Sequence, residues 1–329
     1  MKKYNVAIVG ATGLVGSTFL KVLEEEKFPI NNLRLLASSK SAGKKIIYDG
    51  KEYIVEELNK DSFENIDIAL FSAGGKVSLE YCPIAAAKGA IVIDNSSTFR
   101  NYPDLPLVVP EVNPEDIRNH GIISNPNCST IQSIVPLKAL EEYGIKRVNY
   151  TTYQAVSGSG MKGIKDLENT LEGKKNEFYP YPISQTCIPE IDSWLENGYT
   201  KEEMKMVNET RKMLHMPNLP VSATCVRVPV RNSHGVSIQV ELEKEFSIED
   251  VRKKIASYPG LILVDDLKNH KYPVSILSTG NNLIYVGRIR KDLSTENGLL
   301  LYCVADNVRK GAAANAVQIA QYIVKNKMI

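Results

Sequence analysis

A cysteine in a turn is the residue whose type and surroundings most suggest chemistry in this chain. Cys128 lies in SNPNCST, residues 124–130, after an apolar strand-like run and before a stretch with helical spacing. A helix N-terminus favours the thiolate, the form of cysteine that attacks carbonyl carbons. Pro126 disfavours a helical conformation at Asn125 and helps to define the turn, and Asn127 could donate to an oxyanion or a phosphate. A lone cysteine is more often a small core residue, so both interpretations stay open.

A cysteine nucleophile needs a proton partner whose pKa is near neutrality, and histidine is the usual one. The chain has four histidines. His120 and His270 suit surface loops, whereas His234 stands in RVPVRNSHGVSI, a polar break between two strand-like runs. His234 is therefore the best candidate by elimination, although a surface loop is the ordinary place for any one histidine.

Three charged residues are further candidates for a functional site. Arg100 ends the polar stretch DNSSTFR, directly after the apolar run AIVID. The carboxyl ends of parallel strands are where doubly wound sheets build their sites, and a guanidinium there suits phosphate or carboxylate. Glu202 and Lys205 are three residues apart on a predicted helix and could share a face. A surface arginine and a solvated ion pair are the alternatives.

A glycine-rich turn near the N-terminus suggests a dinucleotide. GATGLVG spaces Gly10, Gly13 and Gly16 by three residues, after a strand-like run and before a helical one. Glycines let the backbone approach a pyrophosphate, and the helix N-terminus offers free N–H groups. The alternative is a tight strand–helix turn that binds no ligand.

The end of the second predicted strand selects between NAD and NADP. An NAD site usually has Asp or Glu there, but LLASSKSAGKK has no acid before Asp49. Hydroxyl groups and one cation, which suit a ribose phosphate, stand at Ser38, Ser39, Lys40 and Ser41. We therefore predict NADP, with a solvated polar loop as the alternative.

The elements that must position these residues indicate an α/β fold. Short apolar runs without alternation, typical of a parallel sheet covered on both faces, are YNVAIVG, NLRLLAS, DIALFSAG, AIVIDNSS, LPLVVPE and GIISNP. KKIIYDGKEYIVEEL predicts a hairpin that turns at Asp49-Gly50. After Cys128, STIQSIVPLKALEEYG predicts a helix, and further helices are predicted near 160–172, 200–214 and 247–258. HGVSIQVELEK alternates as in an antiparallel sheet, so a Rossmann-like domain and an α+β domain with a mainly antiparallel sheet are expected.

Composition excludes several classes of function. The 329 residues carry a net charge of +2, which predicts no nucleic-acid or membrane partner. The five cysteines are odd in number and scattered, which predicts neither disulfides nor a metal site. We expect a reduced, cytoplasmic protein, in which the other four cysteines are core or pocket wall: Cys82, Cys187, Cys225 and Cys303.

The chain resembles the bacterial aspartate-β-semialdehyde dehydrogenases along nearly its whole length, and the Gram-positive type more than the archaeal or fungal one. The match rests on VAIVGATGLVG, SSKSAGKK, FSAGGKVS, IDNSSTFR, LVVPEVNP, SNPNCSTIQ, YQAVSGSG, EEMKMVNET, VSATCVRVPV, SHGVS and DNVRKGAAANAVQ. NPNCST with QAVSGSG separates it from the related N-acetylglutamyl-phosphate reductases. The family often has IAFNVIP where this chain has ISQTCIP, so Gln185 and Thr186 put the shape of one pocket wall in doubt.

The resemblance implies a role for each matching residue. Cys128 would be the nucleophile and His234 the acid/base, while Gln154 would orient the bound acyl group. Arg227 would clamp the substrate α-carboxylate and Glu202 would meet its amino group. The phosphate would be held by Arg100, Asn127 and Lys205. NADP would be contacted by Gly10, Thr12, Gly13, Leu14, Val15, Ser38, Lys40, Ser41, Ser157, Gly158 and Asn307.

The resemblance also implies an organisation and a reaction. An NADP-binding domain, 1–128 with 307–329, would be interrupted by a substrate and dimerisation domain, 129–306. The chain would reduce aspartyl 4-phosphate to the semialdehyde, release inorganic phosphate, and form homodimers or tetramers. The alternatives are a related acyl-phosphate reductase, such as one acting on N-acetylglutamyl phosphate, and a non-catalytic dinucleotide-binding paralogue.

Overall fold

The computed structural model describes residues 2–329, and its strands and helices follow the predicted order closely. The strands are β1 (Tyr4–Val9), β2 (Ile30–Ala37), β3 (Lys45–Tyr48), β4 (Lys51–Ile54), β5 (Glu56–Glu57), β6 (Ile68–Phe71), β7 (Ile91–Asp94), β8 (Ile122–Ser124), β9 (Ile145–Gln154), β10 (Val221–Arg227), β11 (His234–Leu242), β12 (Leu261–Leu263), β13 (Ile284–Lys291) and β14 (Gly298–Ala305). The α-helices are α1 (Leu14–Glu25), α2 (Gly75–Ala87), α3 (Cys128–Lys138), α4 (Gly160–Leu171), α5 (Lys201–Met213), α6 (Ile248–Ser257), α7 (Ser275–Ser278) and α8 (Ala314–Lys325).

The chain divides into two compact units. The first runs to Pro126 and includes Ala312–Ile329, and the second is Asn127–Gly311. No helix among residues 2–329 has the length and apolar character needed to cross a membrane. The functional domains proposed from the sequence, with boundaries at 128 and 307, stay a prediction, because compactness alone does not show what each part does.

The first unit contains a six-stranded sheet in the order β5-β2-β1-β6-β7-β8. All of its neighbouring strands are parallel. Strands β6 and β7 are fully buried, which explains their continuous apolar sequences. The predicted hairpin is confirmed as β3 and β4, whose turn has φ of 47° at Asp49 and 70° at Gly50.

One predicted strand of this unit is wrong. LPLVVPE forms only an isolated bridge between Leu107 and Ser124. Pro106 and Pro110 stand on either side of the three apolar residues 107–109, and a proline has no N–H with which to extend a ladder. Val108 and Val109 are buried without being in a strand, so an apolar run between prolines indicated burial here and not strand pairing.

The second unit contains a mixed sheet in the order β10-β9-β11-β14-β13-β12. The three central pairings, β9 with β11, β11 with β14 and β13 with β14, are antiparallel. The two outer pairings, β9 with β10 and β12 with β13, are parallel. The expected mainly antiparallel sheet is therefore confirmed, with parallel edges that the sequence did not indicate. Helices α3 and α5 contact strands of this sheet and carry the candidate site.

Candidate active site

Helix α3 begins at the cysteine, as the sequence predicts. Asn127 is its N-cap: its Oδ1 accepts from the N–H groups of Ser129 and Thr130 at 3.0 and 3.3 Å. These bonds satisfy donors that a helix start otherwise leaves unpaired. Cys128 is the first helical residue and is partly exposed, so its sulfur lies where the helix partial charge favours a thiolate.

Helix α5 holds this turn through two buried carboxylates. The Asn127 side-chain Nδ2 donates to Glu202 Oε1 at 2.8 Å, and its backbone N–H donates to Glu209 Oε2 at 2.6 Å. The two acids are seven residues apart, which places them on one face of α5. Glu209 was not singled out from the sequence, because nothing in the chain order relates it to the cysteine 81 positions earlier.

Glu202 is the centre of a hydrogen-bonded group. Its Oε1 also accepts from Gln154 Nε2 at 3.1 Å, and its Oε2 accepts from Lys205 Nζ at 2.9 Å. Burial opposes ionisation of this carboxyl, but the Lys205 charge and the three hydrogen bonds outweigh it and lower its pKa to about 2. Glu202 and Lys205 do share a face, and the pair is largely buried instead of solvated.

Lys205 is held by two carboxylates. Its Nζ donates to Asp192 Oδ2 at 2.9 Å as well as to Glu202. Burial alone would lower the pKa of Lys205, but the charges of Glu202 and Asp192 raise it above its ordinary value. An ammonium group has three donors, so one remains for a further acceptor.

His234 begins β11 and is completely buried. Its Nδ1 accepts the backbone N–H of Ala155 at 2.9 Å, and its Nε2 has no hydrogen-bond partner among residues 2–329. Burial and, second to it, the Arg227 charge lower the pKa of the ring to about 3, although Glu202 acts in the opposite direction. The imidazole is therefore neutral at pH 7.

Arg227 ends β10 and is buried. Its Nη1 donates to the carbonyl oxygen of Ala155 at 2.7 Å, so one residue, Ala155, contacts both Arg227 and His234. The backbone of Arg227 pairs with Ile188. Ile188 follows the altered ISQTC segment, in which Gln185 and Thr186 are exposed.

Gly158 lines the space beside Arg227 and His234. A Cβ atom on Gly158 would come within 2.7 Å of Arg227 Nη1 and 3.1 Å of His234 Nε2. The two other predicted cofactor residues of this unit lie together, with Ser157 Oγ 3.0 Å from Asn307 Oδ1. The absence of a side chain at 158 therefore keeps the surroundings of both functional groups open.

Two further contacts reach the cysteine helix. Gln132, one turn after Cys128, donates through Nε2 to the carbonyl oxygen of His234 at 2.9 Å. A Cβ on Gly311 would lie 2.9 Å from Cys128 Cβ. The position of Gln132 four residues after the cysteine was a usable signal, because i and i+4 share a helix face. Gly311 gave no signal beyond a run of small residues.

The glycine turn of the first unit fits a dinucleotide pyrophosphate. Gly10 has a φ of 86°, and a Cβ on Gly16 would lie 2.0 Å from the Gly10 carbonyl oxygen. Gly13 precedes α1 without any side-chain cap, and the first turn carries no acid. The N–H groups of that turn are therefore available to an anion.

The predicted cofactor residues after the glycine turn lie at the ends of two neighbouring strands. Thr12 Oγ1 donates to Ser41 Oγ at 3.3 Å, and Ser38 and Lys40 are exposed beyond the end of β2. Strand β5 also places Glu57 opposite Ala37, the last residue of β2. The sequence did not reveal this carboxylate, because it is 20 positions further along the chain.

Arg100 belongs to the first unit, where it is buried and its Nη2 donates to the carbonyl oxygen of Asn95 at 2.7 Å. Asn127 and Lys205, the other predicted phosphate ligands, belong to the second unit. The phosphate-binding role of all three stays a prediction. Among residues 2–329, no three His, Cys, Asp or Glu side chains are grouped so as to hold a metal ion.

Three of the remaining cysteines are core residues, and one is not. Cys82, Cys225 and Cys303 are buried, and burial raises the pKa of each thiol well above its ordinary value. Their thiols are therefore protonated and unreactive at neutral pH. Cys187 is exposed, so of the two expected places, core or pocket wall, the core is wrong for this residue. Its apolar neighbour Ile188 is the buried one, and its backbone pairs with Arg227.

Two family models match the chain. Residues 5–120 match the semialdehyde dehydrogenase NAD-binding domain, and residues 137–310 match the semialdehyde dehydrogenase dimerisation domain. Aspartate-semialdehyde dehydrogenases of Aquifex aeolicus and Campylobacter jejuni are 55% and 49% identical, over 99% and 97% of this chain and the same shares of theirs. The chain also matches a crystal structure of aspartate semialdehyde dehydrogenase II complexed with ASA from Vibrio cholerae, with a TM-score of 0.94, 46% identity and 99% of both chains covered.

These relatives do not support the Gram-positive subtype expected from the sequence. The Bacillus subtilis aspartate-semialdehyde dehydrogenase is 46% identical over 99% of both chains, below the Aquifex and Campylobacter proteins.

Proposed function

Because the chain belongs to the aspartate-semialdehyde dehydrogenase family, we propose that it catalyses the reversible, NADP-dependent reductive dephosphorylation of L-aspartyl 4-phosphate to L-aspartate 4-semialdehyde. This reaction stands in the aspartate pathway to lysine, methionine, threonine and isoleucine. The observation that carries the proposal is the capped start of α3, where Cys128 follows an asparagine bonded to the Glu202 group.

Cys128 is the nucleophile of this reaction. Its thiolate attacks the acyl carbon, a carbon–sulfur bond forms, and the bond from that carbon to the phosphate oxygen breaks. The departing phosphate is held by Arg100, Lys205 and Asn127. Lys205 supports this role with its third donor, and Asn127 with the second hydrogen of its amide, since one is used on Glu202. A covalent thioester divides one difficult step into two easier ones.

Arg227 and Glu202 recognise the amino acid part of the substrate, while Gln154 orients the acyl group. The Arg227 Nε has no partner among residues 2–329, which leaves a buried donor for the α-carboxylate. Glu202 accepts three hydrogen bonds. A carboxylate offers about four lone-pair sites, so one remains for the substrate ammonium. This pair favours a free α-amino acid over an N-acetylated one.

A nicotinamide dinucleotide supplies the hydride when it is bound, and the NAD-binding domain match together with the open glycine turn supports its place in the first unit. Its pyrophosphate is held by Gly10 to Val15, and contacts with Ser157, Gly158 and Asn307 are proposed in the second unit. NADP is preferred through Ser38, Lys40 and Ser41. A structure of a Candida albicans aspartate semialdehyde dehydrogenase with NADP, 25% identical to this chain, supports that preference.

The test is an assay of phosphate-dependent dinucleotide reduction by the purified chain. L-Aspartate 4-semialdehyde with NADP is expected to give the highest rate, compared with N-acetylglutamate semialdehyde and with NAD. A higher rate with the acetylated aldehyde would replace the proposed substrate, and tighter binding of NADH than NADPH would point to Glu57 as the ribose ligand. No turnover with either aldehyde, while dinucleotide still binds, would favour a non-catalytic paralogue.

Cys128→Ala is expected to abolish turnover while NADP binding persists. The matched control is Cys187→Ala, because Cys187 is an exposed cysteine outside the capped turn of α3. Substantial turnover by Cys128→Ala would refute the nucleophile assignment. The dimerisation-domain match supports a homodimer, and a tetramer is the further assembly that sedimentation of the same sample would detect.

A further inference from the structure

Three asparagine side chains form a continuous series of hydrogen bonds inside the first unit. Asn315 Nδ2, on α8, donates to Asn125 Oδ1 at 2.7 Å. Asn125 Nδ2 in turn donates to Asn95 Oδ1, just after the end of β7, at 2.5 Å. Asn125 and Asn315 are buried, and Asn95 is half-buried. We call Asn95, Asn125 and Asn315 the asparagine series.

Backbone carbonyl groups fix the orientation of each amide in the asparagine series. The Nδ2 of every member donates to one carbonyl oxygen at 3.0–3.2 Å, and the acceptors are Val108 for Asn315, Ala312 for Asn125 and Phe71 for Asn95. A carbonyl oxygen only accepts, so each amide nitrogen must face it. The hydrogen bonds therefore run in one direction, from α8 to the end of β7.

The series ends at the residue whose carbonyl oxygen holds Arg100. The N–H and the Nδ2 of Asn95 both donate to the carbonyl oxygen of Phe71 at 3.1 Å. The carbonyl oxygen of Asn95 accepts from Arg100 Nη2 at 2.7 Å, and the next N–H, that of Ser96, donates to Asp94 Oδ1 at 3.0 Å. Because a peptide group is planar, these bonds together fix the direction of the Asn95 carbonyl group.

A fixed carbonyl group at Asn95 also fixes the guanidinium of Arg100. The guanidinium is planar and its five N–H groups have set directions, so holding one of them determines where the others point. A mobile arginine must be ordered when an anion binds, and that loss of entropy weakens binding. Arg100 is buried and is held before any anion arrives, so this cost is reduced.

We propose that Asn95 is a positioning residue for phosphate binding. The asparagine series holds the Asn95 carbonyl group so that Arg100 presents its guanidinium to the phosphate, and the asparagines themselves do not bind it. This inference rests on the proposed function for phosphate as the anion at Arg100. It adds a set of residues, spread from β7 to α8, that determine the affinity for that anion.

Asn95→Ala removes both side-chain bonds of Asn95 and leaves its carbonyl oxygen in place. In the phosphate-dependent assay, the KM for inorganic phosphate should rise about threefold to tenfold, which corresponds to the loss of about one hydrogen bond. The kcat and the KM for NADP should change by less than about twofold. A fall in kcat at an unchanged KM for phosphate would contradict the positioning role.

Asn5→Ala is the matched control. Asn5 Oδ1 accepts from Asn31 Nδ2 at 2.9 Å, and Asn5 Nδ2 donates to the carbonyl oxygen of Asn65 at 2.7 Å, which is the same pattern of bonds. Asn5 lies near the amino end of β1, whereas Asn95 follows the carboxyl end of β7 in the same parallel sheet. The control should keep the KM for phosphate. An equal rise in both variants would mean that any such loss loosens the site, and would overturn the proposal.

Arg100→Ala separates failure of this inference from failure of the proposed function. It should raise the KM for phosphate by about 10–100-fold. Adding Asn95→Ala to it should then have no further effect, because Asn95 acts through the guanidinium. An unchanged KM in Arg100→Ala would refute the phosphate role of Arg100, and this inference with it. If Arg100→Ala raises the KM but Asn95→Ala does not, or if the two effects multiply, the positioning role alone is wrong.

Calorimetric titration with inorganic phosphate measures the same effect without turnover. The dissociation constant of the free protein for phosphate should rise in Asn95→Ala and stay unchanged in Asn5→Ala. Should Asn95→Ala not fold, Asn95→Ser takes its place, because one short hydroxyl cannot bond to both Phe71 and Asn125. An unchanged dissociation constant in the folded Asn95 variant would overturn the proposal.

Discussion

At the scale of single residues, the site is built from groups that each make more than one contact. The sequence predicts Asn127 as a donor to phosphate, but in the fold its oxygen caps α3 and one of its amide hydrogens binds Glu202. The residue types at the turn could be recognised from the sequence. Their partners could not, because Glu202 is 75 positions away and only the fold brings it within reach.

The burial of His234 predicts a loss of stability in mild acid. Its pKa is about 3 in the folded protein and ordinarily 6.5, so below pH 6.5 the unfolded chain binds a proton that the folded chain excludes. As the pH is lowered below 6.5, the free energy of unfolding of the unmodified protein should therefore fall, relative to that of His234→Gln, by up to about 1.4 kcal/mol per pH unit. The stability that the neutral His234 ring contributes is fully present above pH 6.5 and is lost as the pH falls toward 3. Urea unfolding at several pH values between 7 and 4.5 measures it.

The control for this titration is His270→Gln, because His270 is exposed. That variant should keep the pH dependence of the unmodified protein. Below pH 4.5 the protonation of Glu202, whose folded pKa is about 2, lowers the stability of all three proteins together. A His234→Gln curve parallel to the unmodified one between pH 6.5 and 4.5 would show that the ring is charged in the folded protein.

At the scale of elements, the starts of the predicted helices were close to those observed, whereas the contacts between elements were not predicted. The helix predicted from STIQSIVPLKALEEYG was too long, because α3 ends at Lys138 and a separate 3₁₀ turn, Glu141–Tyr143, follows. Helix α5 begins with a capping box, in which Thr200 accepts from the Glu203 N–H and the Glu203 side chain accepts from the Thr200 N–H. Glu203 Oε1 also accepts the backbone N–H of Cys225 in β10. That second contact depends on how α5 packs on the sheet, which periodicity alone does not determine.

The Gln132 side chain links α3 to β11 by a hydrogen bond, so its substitution should lower the free energy of unfolding. Gln132→Met keeps the volume of the side chain but leaves the buried carbonyl oxygen of His234 without the 2.9 Å bond. Loss of a hydrogen bond costs about 0.5–1.5 kcal/mol, and urea unfolding should show a loss of this size. We also expect a fall in kcat with little change in NADP affinity, because Gln132 is not among the residues proposed to contact the dinucleotide in either unit.

Gln321→Met on α8 is the matched control for Gln132→Met. Gln321 donates to Glu26 at the surface, where solvent can replace the partner. Its substitution should change the free energy of unfolding by less than about 0.5 kcal/mol. Equal losses in the two variants would mean that the contact between Gln132 and the His234 carbonyl contributes nothing to stability.

At the scale of the whole molecule, apolar runs without alternation predicted the parallel sheet, and an alternating run predicted the mainly antiparallel one. The exposed side of the second sheet could not be inferred in the same way. On it, Tyr153 and Tyr302 have ring centroids 6.1 Å apart beside an open groove of about 620 Å³. Tyr153 is 41% exposed, and such a face on a strand is suited to pairing with a second copy in a dimerisation domain.

Tyr153→Glu should therefore dissociate the homodimer. A carboxylate buried without a partner costs several kcal/mol, so the dimer dissociation constant should rise by about two orders of magnitude. Sedimentation over a concentration series measures the change. Leu79→Glu, on the exposed side of α2 in the first unit, is the control and should leave the assembly intact. A dimer that survives Tyr153→Glu would place the interface elsewhere.

The peptide groups of Ala155 have a consequence for genetics. Its N–H binds His234 and its carbonyl oxygen binds Arg227, so the residue arranges two functional side chains with no functional side chain of its own. Every amino acid except proline carries the same two main-chain groups. At position 155, a mutational scan of residues other than proline would therefore detect only whether the new side chain fits the space of a buried methyl group. The link between the two side chains would go unnoticed in any screen that replaces one side chain at a time.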